Sequence, residues 1–129
     1  MKPTMLVVED ELVLRMDFVD AARDAGFETL EANCATEALS ILAAGADISV
    51  MFTDIRMPGS MDGLELAHVV RERWPGMIIV ICSGNTRPAS DELPRDVEFI
   101  SKPCSGPHVA KLLSLIHQHV RPSSASRDL

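Results

Sequence analysis

The sequence has no apolar run long enough to cross a membrane; the longest, Met77 to Cys82, is the length of a strand. It also lacks the basic excess that a nucleic-acid surface needs, because 12 Lys and Arg stand against 19 Asp and Glu, a formal net charge of -7. Cysteine is scarce: Cys34, Cys82 and Cys104 are odd in number and widely spaced. Neither a disulfide framework nor a zinc site is expected from them, and each reads as a small buried or half-buried residue. Of the 4 histidines, His117 and His119 lie two apart on an expected helix and point to different faces, while His68 and His108 stand alone. Metal ligation by histidine is therefore not expected. Met1-Lys2-Pro3-Thr4 leads straight into apolar residues with no signal-peptide cleavage pattern. These absences point to a cytoplasmic protein with no nucleic-acid and no membrane partner.

What is present suits one folded domain. The chain has 129 residues, 47% of them hydrophobic, enough to bury a sizeable core. Met5-Leu6-Val7-Val8 reads as a buried strand that runs into Glu9-Asp10-Glu11. Leu14, Phe18, Ala21, Ala22 and Ala25 recur at helical spacing, and Gly26 suits the cap. A weaker strand, Phe27 to Ala32, precedes a helix from Ala35 to Ala44 that Gly45 stops. Ile48 to Asp54 is a second strand ending in an acid, followed by the loop Met57-Pro58-Gly59-Ser60. A helix from Leu64 to Trp74 carries Leu66, Val70 and Trp74 on one stripe and closes at Pro75-Gly76. Met77 to Cys82 and Val97 to Ile100 are further strands, the latter leading into Ser101-Lys102-Pro103. Val109, Leu112, Leu113, Ile116 and Val120 mark a last helix, with Pro107 suited to its first turn.

Strands that alternate with helices predict an α/β fold with a doubly wound, five-stranded parallel sheet in the order 2-1-3-4-5. The expected domain covers residues 1–120, and the polar segment 121–129 reads as a disordered tail.

The acids lie where such a sheet binds ligands, beyond the carboxyl ends of the strands at the switch in strand order. Glu9 and Asp10 end the first strand and Asp54 ends the third, so three carboxylates are expected over one crevice. Like charges this close raise one another's pKa unless something offsets them, and a hard divalent cation with oxygen ligands such as Mg2+ does so. Ser83 and Lys102, at the ends of the two following strands, add a hydroxyl and an ammonium group. A carboxylate nucleophile, a divalent ion, a hydroxyl and a lysine make up the equipment of phosphoryl transfer.

The runs Leu6-Val7-Val8-Glu9-Asp10-Glu11, Thr53-Asp54-Ile55-Arg56-Met57-Pro58-Gly59, Met61-Asp62-Gly63-Leu64, Ile81-Cys82-Ser83-Gly84 and Ser101-Lys102-Pro103 resemble the receiver domain of two-component response regulators, over about residues 5 to 120. The resemblance implies the flavodoxin-like receiver fold. It implies that Asp54 accepts a phosphoryl group from a histidine kinase or phosphotransfer protein. Glu9 and Asp10 would organise Mg2+ (or Mn2+), with Asp54 and the backbone carbonyl of Arg56 as further ligands. Ser83 would turn toward the phosphoryl oxygen, Lys102 would pair with it across a cis bond to Pro103, and Phe99 would be the aromatic switch coupled to Ser83.

Glu9 stands where many members have Asp, and Ser60 reads as a one-residue insertion after Asp54. Arg56 and Asn85 occupy the positions that tune phosphoryl lifetime in this family. The segment from Asn85 to Asp96 contains Pro88 and Pro94 and few apolar residues, which predicts a shortened or irregular fourth helix. Phosphorylation would add about -1.5 to -2 charges to the crevice, and Ser83 and Phe99 would move together in response. With no room for an effector domain, the expected output is binding of a downstream protein or withdrawal of phosphate from a kinase. The chain is not expected to be an enzyme beyond its own phosphorylation and dephosphorylation. Three rivals stand beside this reading: a receiver-like interaction module working without phosphorylation, an aspartyl-phosphate phosphatase or phosphotransferase, and a flavin carrier. The second would need an acid where Arg56 stands, and the third a phosphate-cradling loop where Glu9-Asp10-Glu11 stands.

Overall fold

The computed structural model describes residues 2–57, 59, 61–83, 93–101 and 106–120. Along the chain they form β1 (Thr4–Val8), α1 (Leu12–Asp24), β2 (Glu28–Ala32), α2 (Ala35–Ala43), β3 (Val50–Asp54), α3 (Gly63–Arg73), β4 (Ile78–Ser83), β5 (Val97–Ser101) and α4 (Gly106–His119). All strand pairs are parallel, and the sheet order is β2-β1-β3-β4-β5. This is the fold expected from the alternation of strands and helices. The expected fourth helix falls largely outside the described residues; within its span, Leu93 to Asp96 are not helical.

The central strands β1, β3 and β4 are buried on both faces. Alternation along each strand sends Leu6, Val8, Met51, Ile79 and Ile81 into one layer with α2 and α3, where Ala38, Leu42, Leu66 and Val70 meet them. Met5, Val7, Val50, Phe52 and Val80 face the other layer, with Phe18, Val19 and Ala22 of α1 and Val109, Leu113 and Ile116 of α4. Phe18 packs on Phe52 with ring centroids 4.7 Å apart. Burying a side chain of this size contributes roughly 1.5–3 kcal/mol. The apolar stripe of α4 faces the core, with Val109, Leu113 and Ile116 buried and Leu112 and Val120 packed half-buried against them.

Helix ends follow local chemistry. Asp62 accepts from the Glu65 amide at 2.9 Å while Glu65 accepts from the Asp62 amide at 3.1 Å, a reciprocal capping box that starts α3. Gly26, at a φ of 107°, turns the chain from α1 into β2. Cys34 is a free, half-buried thiol. Cys82 is fully buried, as expected, but it is disulfide-bonded, which corrects the expectation of no disulfide.

Candidate functional site

The register of β1 and β3 sets the site. Val8 pairs with Thr53, so the next residues on the two strands, Glu9 and Asp54, lie side by side at the top of the sheet. Alternation puts both on the face shared by Val7 and Phe52. Both are buried, Glu9 at 1% and Asp54 at 7% exposure.

Glu9 is held in place by the loop that follows it. Its Oε2 accepts the Glu11 amide at 3.0 Å, its own amide donates to the Ala32 carbonyl of β2 at 3.0 Å, and Arg15 Nη1 donates to its carbonyl at 2.8 Å. Its other carboxylate oxygen, Oε1, is buried with no hydrogen-bond partner among the described residues. Burial pushes the Glu9 carboxyl up to about 7, against the Glu11 amide, and the neighbouring charge of Asp54 pushes the same way as burial. Two buried carboxylates thus share the top of β1 and β3.

Asp54 is fixed from the other side. Its Oδ1 accepts the Arg56 amide at 3.3 Å, and its carbonyl accepts the Thr53 hydroxyl at 2.9 Å. The start of α3 closes over it, where Gly63 donates its amide to the Ile55 carbonyl at 2.7 Å. A Cβ on Gly63 would stand 1.8 Å from the Asp54 carbonyl oxygen, so only glycine permits this approach.

Of the other expected site residues, Asp10, Ser83, Phe99 and Arg56 are among those the structure describes. Asp10 is exposed and lines an open cleft of about 410 Å3 with Asn33, Cys34 and Gly59. Ser83 is buried at the end of β4, one residue past Cys82, which pairs with Asp54. Phe99 pairs with Ile81 across β4 and β5 and packs half-buried against the α2–α3 layer. Ile81 and Ser83 are two apart on one strand and share a face, which links the Phe99 position to the hydroxyl. Arg56 is exposed at the rim, tied to Asp54 through its amide. Lys102, Pro103, Asn85 and Ser60 lie outside the described residues.

Glu9, Asp10 and Asp54 supply oxygen donors alone, the donor type of hard divalent cations. Among the described residues no group of three or more His, Cys, Asp or Glu side chains is arranged as a ready metal cage. Two contacts at the site cannot be read from the sequence, although Gly63 stands in one of the runs that carry the family resemblance. Arg15 reaches the Glu9 carbonyl from α1, and Gly63 makes room for Asp54. The capping box at Asp62 and Glu65 can be read there, since an acid followed three residues later by glutamate before an apolar stripe is its signature.

A family model for the response regulator receiver domain matches residues 5–114. The sensor kinase CckA of Brucella abortus is 35% identical over 106 residues, which cover 79% of this chain and 11% of that protein. The hydrogenase transcriptional regulatory protein HoxA of Cupriavidus necator is 32% identical over 98% of this chain and 26% of its own length. The chain thus spans only a minor part of the length of these curated relatives. Among solved structures, a response regulator receiver protein from Sinorhizobium medicae superposes with a TM-score of 0.77 at 30% identity, covering 90% of this chain and 97% of its own. Motifs, sheet order and these matches agree, and the chain belongs to the response regulator receiver domain family.

Proposed function

We propose that the chain is a phosphoacceptor receiver in which Asp54 takes a phosphoryl group from a histidine kinase or a histidine-containing phosphotransfer protein. The observation that carries this reading is Asp54 itself, buried at the end of the central strand with Glu9 beside it and the Arg56 amide on its carboxylate. A carboxylate oxygen of Asp54 attacks phosphorus in line, the bond from phosphorus to the donor's imidazole nitrogen breaks with its electron pair returning to the ring, and an acyl phosphate forms.

The residues fit a Mg2+ (or Mn2+) cofactor. Asp10 and Asp54, with the Arg56 carbonyl, would hold the ion, and Glu9 would act from behind them. A buried carboxylate oxygen without a partner among the described residues and a carboxyl pushed up to about 7 are what a cluster lacking its counter-charge presents. An ion of this kind keeps several waters, so a closed protein cage is not required. When bound it neutralises charge on the phosphoryl oxygens. By the family resemblance Lys102 would share that task, and Ser83 with Phe99 would carry the coupled response.

The exposed apolar residues Leu12, Val13 and Met16, at the start of α1 directly after the acids, support a protein as donor. The chain would turn over nothing but its own phosphoaspartate, act in the cytoplasm, and signal either by binding a downstream protein or by withdrawing phosphate from its donor. No described helix is long and apolar enough to cross a membrane.

The test is intact-mass measurement after incubation with acetyl phosphate and Mg2+. Wild type should gain the mass of one phosphoryl group, and Asp54→Ala should gain none. An unmodified wild type, or a modified Asp54→Ala, would leave a receiver-like interaction module that works without phosphorylation.

A further inference from the structure

Arg15 ties the acid loop directly to the rest of the fold. It sits in the first turn of α1, its side chain 16% exposed, and its guanidinium divides between two elements. Nε donates to Glu31 Oε1 on β2 at 3.0 Å, and Nη1 donates to the backbone carbonyl of Glu9 at 2.8 Å. Glu31 itself pairs with Val7 in the β1–β2 ladder. The fork therefore spans α1, β2 and the end of β1.

The consequence falls on Asp10. The backbone of Asp10 is set by the peptide group before it and the one after it. The preceding peptide includes the Glu9 carbonyl, held by Arg15. The following peptide includes the Glu11 amide, held by the Glu9 side chain. We propose that Arg15 is a positioning residue for the acid cluster: by fixing the plane of the Glu9–Asp10 peptide it aims the Asp10 carboxylate into the crevice, and so sets the affinity for a divalent cation. This inference rests on the reading of the crevice as a cation-assisted phosphoacceptor site. A planar fork with two fixed directions suits the task, whereas a lysine ammonium cannot reach both acceptors with the same geometry. Partners that orient metal ligands commonly change affinity by roughly 10- to 100-fold when removed.

The sign of the effect separates positioning from simple charge. A cation near a metal site repels the ion, so removing Arg15 for its charge alone would tighten metal binding. Positioning predicts the opposite. A purely structural role would lower the unfolding temperature and leave metal affinity unchanged in the folded range.

The experiment is a Mn2+ titration of the full chain, read by the electron-paramagnetic-resonance signal of free ion, with folding monitored separately by circular dichroism. Arg15→Gln should raise the Mn2+ Kd by roughly tenfold. Glu31→Gln, which leaves the bond to Glu9 in place, should raise it only about twofold to threefold, on the order of one weakened hydrogen bond. A folded Arg15→Gln with an unchanged or lower Kd overturns the proposal. Should Arg15→Gln fail to fold, Arg15→Lys decides, with a several-fold weaker Kd supporting positioning and a wild-type Kd refuting it. A wild-type chain that binds no Mn2+ overturns the reading of the crevice and this inference with it, whereas normal wild-type binding with unaffected variants overturns this inference alone.

Discussion

Glu9 and Asp54 are placed side by side by the parallel register that pairs Val8 with Thr53. Two buried acids on neighbouring strands are an unstable arrangement in the absence of counter-charge. The strain shows on Glu9: burial, above all, brings its carboxyl up to about 7 from an ordinary 4.5.

Metal-free stability should therefore fall as pH rises. The folded protein holds the Glu9 proton to about pH 7, whereas the unfolded chain releases it near 4.5. The stabilisation is full below the unfolded value and is lost as pH climbs through the folded one. The loss amounts to roughly 3 kcal/mol, at about 1.4 kcal/mol for each pH unit separating the folded and unfolded values. Urea unfolding in EDTA at pH 5, 6, 7 and 8 checks this, with Glu9→Gln expected to flatten the profile. Mg2+ should restore more stability at pH 8 than at pH 6, because at the lower pH it must displace the proton.

Asp54→Asn should stabilise the metal-free protein while abolishing phosphorylation. The substitution removes the charge facing Glu9 and keeps an oxygen to accept the Arg56 amide, which now stands 3.3 Å from Oδ1. A gain of about 1 kcal/mol is expected from the lost repulsion. Thermal unfolding of both proteins in EDTA at pH 8 measures it. A destabilised Asp54→Asn would show that the carboxylate is a net structural asset and that its neighbour is not under strain from it.

The strands and the acids at their ends were legible because each is a local pattern. Met5 to Val8 is apolar without interruption and wholly buried, and a parallel sheet necessarily delivers Glu9 and Asp54 to its carboxyl edge. Arg71 was not legible. It reads as one more solvated charge on α3, yet it is buried by carbonyls from Arg95 and Asp96, 24 and 25 residues away. The role of Arg15 was hidden for the same reason, since its partner Glu31 lies 16 residues on. Charges become informative only when tertiary contacts decide which of them leave water.

Arg71 should consequently be among the costliest side chains to truncate. Its guanidinium donates to the carbonyls of Pro75, Met77, Arg95 and Asp96 at 2.7–3.0 Å. Together these tie the end of α3 to the approaches of β4 and β5. Arg71→Met fills similar space but leaves those carbonyls without their donor, and a loss of about 3 kcal/mol is expected. Hydrogen exchange should show the loosening concentrated at 93–101 rather than at β1. Uniform loosening, or a loss below about 1 kcal/mol, would count against a clamp.

Gly63 links fold to site most directly, and its replacement should injure both. A methyl group there would meet the Asp54 carbonyl oxygen at 1.8 Å, its carbon at 2.7 Å and the Ile55 Cα at 2.9 Å. All three are backbone atoms at the end of β3 that carries Asp54, so no side-chain rotation relieves the clash. Gly63→Ala must push α3 away or distort Asp54, at a cost of about 3 kcal/mol for overpacking of this severity. Gly76 serves as the control, because a Cβ there meets nothing within 4 Å. Gly76→Ala should unfold within about 0.5 kcal/mol of wild type and accept phosphate at the normal rate. Gly63→Ala should do neither, with its phosphorylation by acetyl phosphate slowed even at temperatures where it is fully folded. Normal phosphorylation of a folded Gly63→Ala would show that the helix start can withdraw without disturbing the aspartate, and that the close approach serves packing alone.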